Sequence, residues 1–554
     1  MTDSSELQDL GALHKLTIVG AVLMSVFLIV FLINEPFQYG SSDRRPILEL
    51  VGLLFFATTL LPIAIRFALK VQSANGRLLL VIIAFAIGLR AVFLCTHPIL
   101  EIDYYRYMWD GKVTAAGVSP YSYSPAQVLA RADHESDEYQ TVVALASRSP
   151  SNLTILSRIH YEDYTTIYPP VSQFVFRAAM SLVPDSASVE WHALVMKAVL
   201  VLFDLATMLM LVNLLALLNR HRAWLIAYAW NPLLLKEIAN SSHLDSIAMF
   251  LMVASIYLSL RTQKIETSSQ KRIWCSLLTG VTLGLAIGAK LIPIVITPAI
   301  LIYFLRFDWR CSVACGLACM LVAGGTLYPM AGAKSHSAVI ADKDAGSESD
   351  PKLIPASKEG LGGFLTQWRI NDVAFRFFYR NFRTDDRTRT LWYVVFPKET
   401  ARNATTWIRD RGLGGSSPAF FLARLVTIGI FGVVFLSQIR RFYSNSPSQF
   451  LNGLLMIVAM FLLLQPTVNP WYWVLVIPLT CFSNRIGWTL VSGFLLCYYS
   501  RFWFKISDPS IELFGRQYQG VEIFDHGVAW IEFACILLAL LLPFTIKSAD
   551  EIAD

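Results

Sequence analysis

Long apolar runs constrain the fold of this chain more than any other feature. The 554 residues are 55% hydrophobic and only 16% charged, whereas roughly a quarter of residues are charged in soluble globular domains. A spanning helix needs roughly 17 to 25 mainly apolar residues, and about fourteen segments are candidates: 14–34, 47–69, 78–95, 193–219, 223–236, 244–260, 275–289, 291–305, 311–330, 419–438, 449–465, 471–483, 486–500 and 528–546. We expect the shortest two, 223–236 and 471–483, to be tilted, broken or re-entrant. The pattern predicts an all-α polytopic membrane protein with about 12–14 transmembrane helices in one domain over residues 1–554.

Basic residues between the runs indicate the orientation. If the N-terminus is cytoplasmic, every second connector is cytoplasmic as well, and these connectors carry most of the basic residues. The exceptions are Arg44 and Arg45, which fall on the outer side. By the positive-inside rule, we expect an inner (plasma) membrane protein with both termini in the cytoplasm. Two long loops then lie outside, at about 96–192 and 331–418, together with the short links 237–243, 289–291, 466–470 and 501–527. Nearly all the unusual polar chemistry falls on this extracytoplasmic face.

Several classes of function lack their sequence features. The net charge of +6 is spread over short connectors without a basic stripe, so nucleic acid is not expected as a partner. All eight cysteines lie in or at the edge of apolar runs, which argues against a disulfide framework or a C-x-x-C metal site. Phosphate-binding loops, dinucleotide fingerprints, H-E-x-x-H and nucleophile elbows do not occur in the sequence. The N-terminus "MTDSSELQDLGALHK" has no basic region ahead of the first apolar run, which we expect to be a retained anchor.

The stretch "EIDYYRYMWDGKVTAAGVSP" directly follows the third apolar run and carries the first cluster of charges. A run from Asp103 to Gly117 predicts a short helix with an acidic N-cap and a glycine C-cap. Asp103, Arg106 and Asp110 then share one face. The N-cap position and Arg106 favour the ionised carboxylate of Asp103, whereas Glu101 and Asp110 oppose it. A solvated interfacial helix with an aromatic belt is the structural alternative.

Five later segments bring further polar residues to the same face: "TIYPPVSQFVF" with Tyr168, "WNPLLLKEIANSSHLDS" with His243 and Asp245, "GLAIGAKLIPIVITP" with Lys290, "LTQWRINDVAFRFF" with Arg369, and "PTVNPWYWVLVIP" with Asn469 and Trp471. A broken helix at the second segment could present donors to a phosphate. Lys290 lies in an apolar hairpin, where an ammonium is costly unless it reaches the interface or binds an anion. Each segment alone also fits a turn, a surface helix or an aromatic belt. Asp204 lies inside a span, so we expect it to be paired or neutral and structural.

In this order, the motifs resemble those of bacterial GT-C superfamily glycosyltransferases that use polyprenyl-phosphate sugars. The resemblance spans roughly residues 80–480 and is strongest to relatives of polyprenyl-phosphate-mannose-dependent mannosyltransferases. It implies a GT-C-like bundle whose two long outer loops carry interfacial helices. It also implies transfer of a hexose, preferentially mannose, from a polyprenyl-phosphate donor to a lipid- or glycan-linked acceptor at the outer membrane face, with inversion at the anomeric carbon.

The resemblance makes Asp103 the catalytic residue, since inverting transfer needs a carboxylate within about 3 Å of the acceptor hydroxyl. The departing phosphate needs cations, and the expected donors are Arg106, His243, Lys290 and Arg369. The expected substrate-binding residues are Glu101, Tyr107, Asp110, Tyr168, Asp245, Asn469 and Trp471. The sequence indicates no certain cofactor, and a divalent cation held by Glu101 or Asp110 stays open.

Two other functions remain open from the sequence. A transporter or flippase of a lipid-linked saccharide would distribute polar residues across both leaflets and show half-helix symmetry. A non-catalytic membrane scaffold would leave Asp204 and Lys290 without a use. The transferase needs a lipid-linked sugar donor, a glycan or glycolipid acceptor and the bilayer as its partners.

Overall fold

The computed structural model describes residues 2–41, 44–72, 75–131, 136–265, 269–331, 339–340, 353–354, 360, 368–415, 417–542 and 545–546. Within these residues, helices make up nearly all the regular structure. Much of the predicted outer loop 331–418, including most of "ADKDAGSESDPKLIPASKEG", lies outside the described residues.

Nine helices of the described chain are long and apolar enough to cross a membrane: Glu6–Leu32, Ile47–Ala68, Gly76–Leu94, Val189–Leu217, Asp245–Gln263, Ser269–Ala289, Trp309–Ala331, Pro418–Phe442 and Val521–Leu541. Two shorter apolar helices, Ile292–Leu305 and Pro447–Leu463, complete eleven of the predicted segments. The prediction of an all-α polytopic membrane protein is therefore confirmed.

The other three predicted segments are chains of short helices. The first comprises Arg222–Leu225, Ile226–Ala229, Pro232–Leu234 and the π-helix Leu235–Asn240; the second comprises Pro470–Leu475 and Ile477–Thr480; the third comprises Gly487–Leu495, Leu496–Tyr499 and Ser500–Ser507. Prolines at the first turns restart helices in the first two segments, because a proline lacks the backbone donor that the first turn of a helix does not need. The expected breaks in the first two segments are confirmed. The third segment is also broken, which the sequence did not predict.

Short amphipathic elements form the remaining structure. The first long loop contains the helices Tyr104–Ala115, Pro125–Leu129, Asp137–Ser147, Pro150–Ser157 and Pro170–Ser181, and the second contains Val373–Phe382, Asp386–Arg389 and Lys398–Asp410. Two small antiparallel pairs join Val339–Ile340 to Leu353–Ile354 and Ser510–Leu513 to Arg516–Gln519. A 3-10 turn at Glu35–Phe37 follows the first helix.

The described parts of the predicted outer connections meet on one face of the bundle. The side chain of Asn34 forms two hydrogen bonds with the backbone of His97. Asn34 Nδ2 donates to the His97 carbonyl oxygen at 3.1 Å, and the His97 nitrogen donates to Asn34 Oδ1 at 2.6 Å. Ile370 and Thr467 form a β-bridge. On the opposite face, Arg220 Nε donates to the carbonyl oxygen of Cys481 at 2.9 Å. The structure thus groups the connections as the sequence predicts, while the assignment of this face to the extracytoplasmic side stays a prediction.

The buried acid Asp204 is paired, as expected. Arg90 Nε lies 2.5 Å from Oδ2 of Asp204, and Arg90 Nη2 lies 3.0 Å from Oδ1. The hydroxyl of Tyr228 donates to the same carboxylate at 2.5 Å. Because removing one partner of a buried ion pair typically costs about 3–5 kcal/mol, this pair fixes the third helix against Val189–Leu217.

Candidate active site

A cavity of about 1190 Å³ lies where the outer loops meet the bundle. Nine of the twelve predicted site residues line it: Glu101, Asp103, Arg106, Tyr107, Tyr168, Asp245, Lys290, Asn469 and Trp471. They come from five separate segments of the chain, so the fold brings together residues far apart in sequence. The other three, Asp110, His243 and Arg369, lie outside its lining.

Asp103 stands at the start of the helix Tyr104–Ala115, half-buried in the cavity wall. Its carbonyl oxygen accepts from the backbone nitrogens of Arg106 at 2.9 Å and Tyr107 at 3.2 Å. The predicted side-chain cap is wrong: Asp103 already has helical φ and ψ of −57° and −26°, and its carboxylate caps nothing, whereas capping residues have extended backbone. The carboxylate is therefore not occupied by the helix terminus.

The approach to Asp103 is held by Asn240, which was not among the predicted site residues. Its Nδ2 donates to Thr96 Oγ1 at 2.8 Å and to the His97 carbonyl at 2.9 Å. Its Oδ1 accepts from the Ile99 nitrogen at 2.9 Å. Asn240 ends the π-helix Leu235–Asn240, a helix type that is rare and concentrated at functional sites. The helix break thus positions the backbone that leads into Asp103.

Lys290 and Asp245 form an ion pair in the cavity wall, with Nζ donating to Oδ1. Asp245 is the first residue of the helix Asp245–Gln263, where the helix dipole favours an anion. Lys290 also lies 4.1 Å from the ring centroid of Tyr472. Burial lowers the pKa of Lys290, and the charges of Asp245 and Asp103 counteract that effect. Asp103 is thus within electrostatic range of the Lys290 ammonium.

Arg106 ties the first outer loop to the cavity. Its Nη2 donates to the carbonyl oxygens of Tyr161 at 3.3 Å and Tyr164 at 3.1 Å. Asp110 lies behind it, buried, and accepts from Gln173 Nε2 at 3.1 Å. Burial raises the pKa of Asp110 to about 6, although Arg106 and the hydrogen bonds to the carboxylate oppose the increase. Asp110 therefore supports Arg106 from within the protein.

His243 and Arg369 do not line the cavity, and both contact other side chains of the protein. His243 packs behind Trp471, and its Nε2 lies 3.3 Å from Glu237 Oε2. The guanidinium of Arg369 lies 4.0 Å from the ring centroid of Tyr379. Their expected contact with the donor phosphate stays a prediction.

Glu101 is a buried acid at the cavity wall whose Oε1 has no hydrogen-bond partner among the described residues. Burial raises its pKa well above the ordinary value; Lys236 opposes this increase, and Asp103 and Glu237 add to it. The neutral carboxylic acid is then favoured, and it can donate a hydrogen bond to a ligand. In the described part of the chain, no three His, Cys, Asp or Glu side chains are grouped to hold a metal ion.

Five further cations line the cavity and were absent from the predicted set: Arg45, Arg158, Lys197, Arg501 and Lys505. The guanidinium of Arg158 donates to the hydroxyl of Tyr105 at 2.8 Å. Lys197 Nζ donates to the carbonyl oxygen of Thr96 at 2.6 Å. Lys197 carried a readable signal, since an ionisable residue inside a span marks a functional position by default.

The helical bundle defines a polytopic membrane protein, with a cavity lined by charged, aromatic and apolar residues on one face. Residues 46–306, a little under half of the chain, match the family model described as alpha-(1->6)-mannopyranosyltransferase, N-terminal domain. This match supports a GT-C-like mannosyltransferase, as the motifs indicated, and a mannosyltransferase activity. Asp103, Arg106, Asp245 and Lys290 fall within the matched region. No curated protein and no solved structure matches the chain significantly.

Proposed function

We propose that the protein transfers mannose from a polyprenyl-phosphate donor to a lipid- or glycan-linked acceptor at the outer face of the membrane, inverting the anomeric carbon. The placement of Asp103 beside a cationic part of one cavity supports this proposal most directly. A base and a phosphate-binding cation must both face the reacting sugar.

In the proposed reaction, Asp103 accepts the proton of the acceptor hydroxyl while its oxygen attacks the anomeric carbon. The bond from that carbon to the phosphate oxygen breaks on the opposite side, and polyprenyl phosphate leaves. Lys290 and Arg106 stabilise the charge that develops on the phosphate, because both line the same cavity as Asp103. Glu101, held neutral by burial, donates a hydrogen bond to the bound substrate.

A lipid-linked donor is favoured by the apolar wall that follows Lys290 in the sequence. Leu291, Ile292 and Ile294 all line the cavity, and Phe461 and Leu462 lie in the same lining. Ile294 is also 55% exposed. An apolar wall suits a polyprenyl chain, which a nucleotide sugar lacks.

The transporter or flippase alternative has less support. Its polar residues should extend through both leaflets, whereas the polar and charged lining residues come mainly from connections on one face of the bundle.

Reconstitution of the purified protein tests the proposal. Proteoliposomes receive polyprenyl-phosphate [14C]mannose, the matching glucose donor or GDP-[14C]mannose, together with membrane extract as acceptor. We expect labelled product from the lipid-linked mannose donor, with the anomeric configuration opposite to that of the donor by NMR. Transfer from GDP-mannose alone would contradict the lipid donor, retained configuration would contradict inversion, and sugar movement without covalent transfer would favour the flippase.

A further inference from the structure

One side of the cavity combines aromatic rings with cations that the proposed donor site does not use. We call it the loop arm and define it by Tyr161, Trp368, Arg501, Phe502 and Lys505, all of which line the cavity. The rings of Tyr161 and Trp368 have centroids 4.5 Å apart at an interplanar angle of 38°. Tyr161 is 57% exposed, so its ring remains accessible.

The two cations of the loop arm project from one helix. Arg501 and Lys505 are four residues apart in Ser500–Ser507, a spacing that puts side chains on the same helix face. Arg501 Nε lies 3.3 Å from Asp525 Oδ1, an oxygen that also lies 3.4 Å from Arg376 Nη2. Lys505 is exposed and forms no ion pair with the residues that the structure describes. Arg376 is also paired with Asp372, at 2.7 Å, so the uncompensated positive charge of the arm is that of Lys505.

The loop arm adjoins the proposed base, because Arg106, three residues after Asp103, donates to the carbonyl oxygen of Tyr161 at 3.3 Å. Burial and the charge of Asp103 raise the pKa of Tyr161, and Arg501 lowers it. Burial and the charge of Lys505 lower the pKa of His160, whereas the charge of Asp103 raises it. Asp103 thus lies within electrostatic range of residues in the arm as well as of Lys290.

The lining as a whole has more positive charge than a single phosphodiester needs. Its lysines and arginines are Arg45, Arg106, Arg158, Lys197, Lys290, Arg501 and Lys505, and its acids are Glu101, Asp103, Glu190 and Asp245. Burial favours the neutral form of Glu101, which increases the excess. A sugar–phosphate–lipid donor brings one negative charge, so a second anionic group fits the cavity.

We propose that the acceptor is an anionic glycan, one that bears a phosphate, and that it binds in the loop arm. Its sugar ring stacks on Tyr161 and Trp368, and its phosphate binds Arg501 and Lys505 through charge-assisted hydrogen bonds. The acceptor hydroxyl then reaches Asp103, which lines the same cavity. This inference rests on the proposed function and names the acceptor class for that same site.

Equilibrium binding without any donor tests the inference. The probes are α-1,6-mannobiose 1-phosphate and neutral methyl α-1,6-mannobioside, which differ mainly in charge, with the protein in neutral-lipid nanodiscs. We expect the phosphorylated glycan to bind at least about tenfold more tightly, because a charge-assisted hydrogen bond typically contributes that much. The preference should weaken with added salt. Inorganic phosphate, and nanodiscs that contain phosphatidylglycerol, should compete weakly, because they bring the anion without the sugar.

Variants assign the preference to the arm. Arg501→Gln and Lys505→Gln should each reduce binding of the phosphorylated glycan about tenfold, and the neutral glycan should be unaffected. Lys505 is exposed and forms none of the ion pairs of the described residues, so its variant should fold normally; Arg501→Lys keeps a charge beside Asp525 and should retain much of the binding. Lys398→Gln removes a cation paired to Asp386 on the same face, outside the cavity lining, and should change nothing.

Equal affinity of the wild-type protein for both glycans, or a preference that survives in the Arg501→Gln/Lys505→Gln protein, would overturn the inference. Stronger competition by phosphatidylglycerol than by the phosphorylated glycan would assign the arm to lipid headgroups and overturn it too. Failure of the donor assignment is distinguishable, since binding is measured without donor. Transfer from polyprenyl-phosphate mannose to both glycans with equal kcat/KM would contradict the inference of an anionic acceptor and leave the proposed function intact.

Discussion

The imidazole ring of His243 lies flat against the indole of Trp471, with ring centroids 4.4 Å apart and an interplanar angle of 8°. Trp471 lines the cavity, whereas His243 does not. Glu237 lies on the far side, with Oε2 3.3 Å from His243 Nε2, and is held by the Tyr499 hydroxyl at 2.7 Å. We infer that His243 positions Trp471 as an aromatic surface for a sugar.

Substitutions at His243 separate this positioning role from direct contact with the donor phosphate. His243→Phe keeps a ring behind Trp471 and should retain kcat/KM within about threefold, whereas His243→Ala should lose about three- to tenfold, chiefly through KM, since an aromatic pair contributes roughly 0.5–1.5 kcal/mol. Steady-state kinetics with the lipid-linked donor measures both. If His243 instead binds the phosphate, the two variants should be equally impaired.

The Lys290–Asp245 pair gives a second prediction. Lys290→Ala should reduce donor use by about 10- to 100-fold, because a phosphate loses a charge-assisted hydrogen bond of roughly 1.5–3 kcal/mol. It also leaves the buried Asp245 carboxylate without its partner, which typically costs about 3–5 kcal/mol of stability. Arg106→Ala should weaken donor use in the same sense.

A paired substitution separates these two effects. Lys290→Gln/Asp245→Asn removes both charges, so its thermal unfolding midpoint in detergent should recover toward the wild type while donor use stays low. Recovery of donor kinetics together with stability would mean that Lys290 serves the fold and not the phosphate.

Stability should depend on pH through Asp110, whose pKa burial raises from 3.8 to about 6 in the folded protein. Below pH 4, the carboxyl is protonated in both the folded and unfolded states. Between pH 4 and 6, the unfolded state ionises while the folded state keeps its proton, so the free energy of unfolding falls as pH rises, by roughly 3 kcal/mol in all. Above pH 6, this contribution is constant.

Thermal unfolding of the wild type and Asp110→Asn across pH 4–7 checks this sign. Asparagine cannot ionise, so the difference between the two unfolding midpoints should change by several degrees in favour of Asp110→Asn as pH rises. A difference that is flat over this range would place the pKa of Asp110 elsewhere.

The sequence predicted the membrane helices well because apolar length is a local property. The breaks at 223–236 and 471–483 were also readable, since short runs with proline cannot span as one helix. The partner of Asp204 was not readable, because Arg90 lies 114 positions away in the chain. The same holds for Asn240, whose partners are more than 140 positions away.

Local geometry explains the error at Asp103. The preceding Leu100 has a φ of +61°, a conformation that non-glycine residues rarely adopt and that sequence does not reveal. Asp103 then enters the helix with helical backbone angles, so its side chain makes no cap. The cations Arg501 and Lys505 were missed because only the packing of three outer connections brings them to the cavity.

Membrane orientation is tested by thiol labelling in a Cys95→Ala background, since Cys95 is the exposed cysteine among the described residues. Single cysteines at Glu138 and Glu399, exposed in the two long loops, should react with an impermeant maleimide in intact right-side-out vesicles. A cysteine at Tyr443, exposed on the opposite face, should react only after permeabilisation. The reverse pattern would place the cavity in the cytoplasm.

Asp103→Asn should abolish transfer while leaving the protein folded. The Asp103 carboxylate makes no cap bond, so the amide removes no helix contact and the unfolding midpoint should stay within a few degrees of the wild type. An amide cannot accept the proton of the acceptor hydroxyl, so the rate should fall by about 100- to 10,000-fold. Binding of the donor should remain near the wild-type value.

Two neighbouring acids serve as matched controls for Asp103→Asn. Burial favours the protonated form of Glu101, which Glu101→Gln imitates, so this variant should keep most of its turnover. Asp110 lies outside the cavity lining, so Asp110→Asn should also lose far less turnover than Asp103→Asn. A general base is unique among the three, whereas a merely charged interfacial helix would respond similarly to each change. Turnover of purified Asp103→Asn above about a tenth of the wild type, well short of the usual contribution of a general base, would show that another group removes the proton.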